Sequence, residues 1–198
     1  MKILSALIII LLIVAIAFVM VGRTGIPEGV TAVQGLDAKR FSGTWYEVAR
    51  LNHGFEKGLD HVTAEYIPRD DGGFRIINRG YDPKKGLWSE SEAKALFLET
   101  PDVGRLKVSF FGPFYGSYNI IDIDQKDYSW ALATGPSRNY LWMLSRSKTV
   151  DDAVMRHMVE KAKNLGFKLD GIIYVDQKDS TLPPAASPGA PAAPAPAQ

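Results

Sequence analysis

Between residues 44 and 146 the chain repeats one pattern: a segment of alternating apolar and polar character, then a break rich in Gly, Pro or Asp. A period of two marks a strand with one buried face. Such segments lie near 44–51, 61–67, 73–80, 89–97, 105–111, 117–124, 128–134 and 139–146. The breaks, among them Pro68 to Gly73, Asp82 to Gly86, Pro101 to Gly104 and Gly135-Pro136, carry turn chemistry. Eight short strands with short links predict an all-β fold, either an antiparallel up-and-down barrel or a sandwich.

After residue 146 the period changes. Thr149 followed by Val150, Asp151 and Asp152 reads as a helix start with Thr as the N-cap. Val150, Val154, Met158 and Leu165 share one helical face, and Gly166 reads as the C′ residue. One amphipathic helix over about 150–165 should therefore pack outside the sheet. A short strand, Ile172 to Val175, follows, and the final 16 residues hold six Pro and seven Ala. That tail cannot form a core.

At the other terminus, Ile3 to Val21 is 19 residues without a charge. As a helix it would span roughly 28 Å, the hydrocarbon thickness of a bilayer. Lys2 before it predicts an exported body. An uncleaved transmembrane helix and a signal segment cut after Ala15-Ile16-Ala17 both fit. Either reading puts the domain outside the cytoplasm, on the periplasmic side of the inner membrane if anchored, or in the periplasm or at the outer membrane if cleaved. The organisation expected is thus a membrane segment over 1–23, one domain over 24–180 beginning with a Gly- and Pro-containing linker, and a Pro/Ala tail over 181–198.

Composition narrows the chemistry. Lys2 and Arg23 flank the apolar run, leaving 21 bases against 22 acids elsewhere, so no concentrated basic face is expected for nucleic acid. Cys is absent, which excludes disulfides, thiolate metal sites and a Cys nucleophile. His53, His61 and His157 lack metal-ligand spacing, and no nucleophile elbow, phosphate loop or dinucleotide fingerprint occurs. No metal or cofactor is expected.

In a barrel, alternate residues face the lumen. By parity the inward set is Ala49, Val62, Ala64, Tyr66, Ile76, Asn78, Leu106, Val108, Phe110, Tyr118, Ile120, Tyr140 and Trp142, with Glu47 also inward and Arg50 outward. Small members of the inner faces, including Ala49, Ala64, Gly80, Ala131 and Ala133, leave space for a cavity; the same residues could simply pack. Alternating strand direction brings loops 52–60, 81–88, 111–117 and 134–139 to one open end. They carry Phe55, Trp88, Phe111, Phe114 and Tyr115, with Lys84, Lys85 and Arg138 as rim cations. Such a rim is a ligand entrance, a membrane contact or a cap on the core.

Gly43-Thr44-Trp45-Tyr46-Glu47 resembles the Gly-x-Trp signature that opens the lipocalin barrel. Asp124 to Tyr128 resembles the second lipocalin signature, and Tyr140 to Arg146, ending in Arg, the third. Phe41 to Arg50, Lys107 to Tyr118 and Tyr140 to Arg146 are similar to bacterial outer-membrane lipocalins and to apolipoprotein D. The resemblance covers residues 30–177. It implies an eight-stranded antiparallel up-and-down barrel with one C-terminal helix outside. It also implies that Trp45 plugs the closed end under Arg146, so that Gly43, Trp45 and Arg146 are structural rather than ligand contacts.

Two departures stand out. Bacterial relatives usually begin at a lipid-bearing Cys, which this sequence lacks; the apolar run would substitute. Asp122 falls on the face of Tyr118 and Ile120, where the family has a small apolar residue, so it either pairs with Arg146 or marks a break in the alternation. The function expected is that of a lipid-binding lipocalin, holding a fatty acid or lysophospholipid by chain burial for transport or storage in the cell envelope. A lipid- or isoprenoid-modifying enzyme and a filled, structural barrel are the competing readings. Expected partners are that lipid, a membrane and at most a weak homodimer.

Overall fold

A computed structural model describes residues 24–54 and 56–178. The apolar run 3–21, the tail 181–198 and Phe55 lie outside the described residues. Among those described, no helix is long and apolar enough to cross a membrane.

Apart from a one-turn helix before the first strand, which the sequence reading did not include, the elements follow the order read from the sequence. They are α1 (Ala38–Phe41), β1 (Gly43–Leu51), β2 (Asp60–Pro68), β3 (Phe74–Asp82), β4 (Leu87–Phe97), β5 (Arg105–Phe111), β6 (Phe114–Ile123), β7 (Trp130–Thr134), β8 (Leu141–Ser145), α2 (Asp152–Asn164) and β9 (Ile172–Tyr174). Each strand from β2 to β7 pairs antiparallel with the next, and β1 pairs with both β2 and β8, which closes the barrel. β9 adds to the outer edge of β1.

Two clusters sit on the two sides of the wall. Inside are Phe41, Trp45, Tyr66, Phe74, Ile76 and Leu106 with their neighbours. Outside, Val48, Ile121, Leu132 and Met143 pack against Met158, Ala162 and Phe167 of the helical segment. Where α2 covers the barrel both strand faces are therefore buried, which local alternation cannot distinguish from a wet face. The helix begins two residues later than its apolar spacing predicts. Its N-cap is Asp151, not Thr149, and makes no side-chain cap bond. Gly166 takes φ +80° and ends the helix as the C′ residue.

Two bulges shift the phase of the wall. On β1, Glu47 lies opposite Leu144 and Ala49 opposite Met143, so one extra residue is inserted around Val48. Val48 and Ala49 then both face the helix side. Arg50 points inward, 1% exposed, which reverses the expected outward placement. On β6 the step from Ile120 to Asp122 spans only Ala133 to Leu132. Asp122 is turned outward, 3.0 Å from His157 Nε2 and 3.8 Å from Lys161 Nζ on α2. The break in alternation, not a pair with Arg146, accounts for it.

The closed end is a knot of the three signature segments. Trp45 is fully buried, and its Nε1 donates to the Phe41 carbonyl at 2.8 Å. The Arg146 guanidinium lies 3.8 Å above the Trp45 ring. It donates to the carbonyls of Arg40, Phe41, Ser42 and Thr44. Gly43 takes φ +92°, and a Cβ there would stand 3.5 Å from that guanidinium. The Asp124 carboxylate accepts from the backbone N–H groups of Lys126, Asp127 and Ser129. This turn presents Tyr128, whose hydroxyl accepts from Asp37 N–H at 2.8 Å and whose ring lies under Arg40. Asp37 in turn caps α1 through Lys39 and Arg40 N–H. The second signature thus fastens the N-terminal lid to the barrel floor.

Candidate lipid cavity

Above this floor a cavity of about 560 Å³ opens toward the loops that end β1, β3, β5 and β7. Ten of the residues expected inside line it: Val62, Ala64, Tyr66, Ile76, Asn78, Val108, Phe110, Tyr118, Tyr140 and Trp142. Its volume lies within the range of small-molecule sites, and its wall is mainly apolar.

Three expected residues do not line it. Ala49 is displaced by the β1 bulge to the helix side of the wall. Leu106 and Ile120 are inward but fully buried in the packed cluster around Trp45, below the open space. Gly80 leaves no room either, because a Cβ at that position would meet Leu59 Cδ1 at 2.9 Å. The small residues on the lining are Ala64, Gly116, Ser117 and Gly135.

The rim is aromatic. Phe110, Phe111 and Phe114 are 42%, 82% and 57% exposed, and all three border the cavity mouth with Tyr115. Trp88 packs instead with Tyr81 and His61, away from the cavity lining. The rim cations are not arranged as expected. Arg138 donates to the carbonyls of Leu165 and Glu28, tying the β7–β8 loop to the end of α2 and to the N-terminal segment. Lys85 pairs with Asp82 at 3.1 Å.

An acidic cluster occupies the upper wall, and parity did not reveal it. Glu47 Oε1 accepts from Arg50 Nη1 at 2.6 Å, with both side chains almost fully buried. Arg50, expected to point outward, is thus the partner of Glu47. Its Nη2 donates to the carbonyls of Glu56 and Leu59, which pins the β1–β2 loop over the barrel. The Glu56 carboxylate accepts from Trp142 Nε1 at 3.1 Å and lies 3.4 Å from His53 Nε2. Glu47 and Glu56 both border the cavity. Burial, reinforced by the Glu56 carboxylate, raises the Glu47 carboxyl well above the usual carboxylate range, against the pull of Arg50. Burial also lowers the basicity of His53 and holds the Tyr66 and Tyr118 hydroxyls in their neutral forms. The one sequence signal for this cluster is the spacing of Glu47, Arg50, His53 and Glu56 at the end of β1. It becomes readable only once the bulge is known.

His61 meets the Lys178 carbonyl, and His157 packs at a tilt against Trp130. Among the described residues, no group of three or more His, Asp or Glu side chains is placed to hold a metal ion.

A family description, the lipocalin-like domain, matches residues 36–177. The chain is 53% identical over 154 residues to the outer membrane lipoprotein Blc of Escherichia coli K12, covering 78% of this chain and 86% of that protein. It is 48% identical over 157 residues to the outer membrane lipoprotein Blc of Vibrio cholerae, covering 79% and 92%. Insecticyanin from the tobacco hornworm Manduca sexta shares the barrel with a TM-score of 0.63 at 21% identity, covering 80% of this chain and 89% of that one. Three signatures knotted at one end of a closed barrel, a helix on its flank and a match over most of its length lead to one statement: this chain belongs to the lipocalin family.

Proposed function

We propose that the protein binds a single-chain lipid, a fatty acid or lysophospholipid, in the barrel and carries or stores it in the cell envelope. The observation that carries this reading is the open-topped cavity with apolar residues from most strands around it. Removing each CH₂ from water contributes about 0.8 kcal/mol, close to a fourfold change in affinity. Titration with saturated acyl chains of increasing length should show that increment until the cavity is full. Ala64 lies on the lining, so Ala64→Trp should fill the space and weaken binding by about a hundredfold or more. Affinity that ignores chain length, or survives Ala64→Trp, places the ligand elsewhere.

An enzyme acting on a lipid or isoprenoid is the weaker reading. His53 does not border the cavity, so the His53–Glu56 contact does not face a ligand as an acid–base pair. Turnover of a bound lipid, seen as product by mass spectrometry, would reverse that choice.

We propose further that residues 3–21 hold the protein at a membrane. The relatives are named as outer membrane lipoproteins, and this sequence has no Cys to carry a lipid. Fractionation should find the protein in membranes and extractable only by detergent. A soluble protein whose N-terminus begins near Phe18 would instead show a cleaved signal.

A further inference from the structure

The two charged residues on the cavity lining are both acids, Glu47 and Glu56, and no Lys or Arg borders the space. Their situations differ. Glu47 is covered by Arg50 at 2.6 Å and is almost fully buried. Glu56 keeps a partly exposed side chain, and its carboxylate accepts from Trp142 Nε1. Trp142, Tyr118 and Tyr140 line the same cavity, with the ring centroids of Tyr118 and Tyr140 at 5.7 and 6.1 Å from Trp142. His53 backs the Trp142 ring at 4.8 Å, and burial favours its uncharged form, so it supplies no competing cation.

A carboxylate set among electron-rich rings is a site for an organic cation. Ring faces attract positive charge through their quadrupole, most strongly when water is excluded, and a quaternary ammonium uses them without needing a hydrogen-bond acceptor. An anionic head at the same place would face the Glu56 carboxylate, while the neighbouring Arg50 guanidinium is already taken up by Glu47 and by the Glu56 and Leu59 carbonyls. Of the three expected rim cations, Arg138 is committed to the α2 end and Lys85 to Asp82, and Lys84 sits on the β3–β4 loop, whose residues do not border the cavity.

We propose that Glu56, with Trp142, Tyr118 and Tyr140, forms a headgroup site for an ammonium or quaternary ammonium group, so that the barrel selects cationic or zwitterionic single-chain amphiphiles over free fatty acids. The proposal rests on the reading that the barrel holds a single lipid chain, and it specifies the other end of that ligand.

The test is tryptophan-fluorescence titration of the full chain with four twelve-carbon probes below their micelle concentrations. They are dodecyltrimethylammonium, dodecanoate, dodecanol and lauroyl-lysophosphatidylcholine. Dodecyltrimethylammonium should bind at least tenfold more tightly than dodecanoate. Glu56→Gln should weaken it at least fivefold, leave dodecanol within twofold and improve dodecanoate. Lysophosphatidylcholine tracking dodecyltrimethylammonium identifies a phospholipid headgroup as the source of the cation. Lysophosphatidylcholine bound no better than dodecanol identifies a phosphate-free ammonium amphiphile. If Glu56→Gln does not fold, the selectivity of the wild-type protein among dodecyltrimethylammonium, dodecanoate and dodecanol decides the matter. Dodecanoate bound as tightly as the cation, or a Glu56→Gln effect equal for all probes, overturns the headgroup site while leaving chain binding intact. Affinity that does not rise when the trimethylammonium probe is lengthened from ten to fourteen carbons overturns the lipid reading, and this site with it.

Discussion

Trp45→Ala is expected to lower stability by about 3–5 kcal/mol, as for other fully buried Trp and Phe truncations. The ring is fully buried and forms the centre of the floor cluster with Phe41 and Phe74. Its loss also strips the Arg146 guanidinium of the surface beneath it and frees the Phe41 carbonyl from the Nε1 bond. The effect belongs to the fold rather than the cavity, because Trp45 does not border the open space. Urea denaturation should show the full loss, while lipid affinity per folded molecule changes little. An unchanged midpoint with abolished binding would refute the structural assignment.

Arg50→Leu should be comparably damaging, by about 3–5 kcal/mol, because it leaves the Glu47 carboxylate buried without its partner. It also releases the carbonyls of Glu56 and Leu59, and with them the loop over the barrel. Replacing both members, with Glu47→Leu in the same chain, should recover much of the loss, since a packed apolar pair avoids the desolvation of two charges. The single variant should also gain from acidification. Its penalty is that of an ionised Glu47 in a dry site; it is absent where the carboxyl is protonated and grows as pH rises through the elevated range that burial imposes. Equal melting of Arg50→Leu and the parent at pH 8 would show that the pair bears no structural role.

Much of this was legible in the residues. The Gly43-Thr44-Trp45 opening, the Asp124 turn and the terminal Arg146 predicted a barrel, and they meet at one end of it. Strand existence followed from alternation, and Gly166 marked the helix end. What failed did so for identifiable reasons. A bulge carries no residue of its own kind: Val48 and Ile121 look like ordinary alternating apolar residues, yet each reverses the parity beyond it. Ala49, Arg50 and Asp122 were misplaced by that single cause or left ambiguous by it. Leu106 and Ile120 were correctly inward, but parity cannot say how high the packed floor reaches. Arg138 was read as a rim cation because its acceptors, the Leu165 and Glu28 carbonyls, are far away in sequence.

The bulge on β1 also divides the wall into two storeys that keep separate time. Below Val48, even steps from Trp45 reach the hold; above it, the same steps reach the hull, and Arg50 rather than Ala49 looks inward. A cavity redesign that counts in twos from Trp45 would therefore place its new side chain at residue 49 beneath the helix, where it would loosen α2 and leave the ligand untouched.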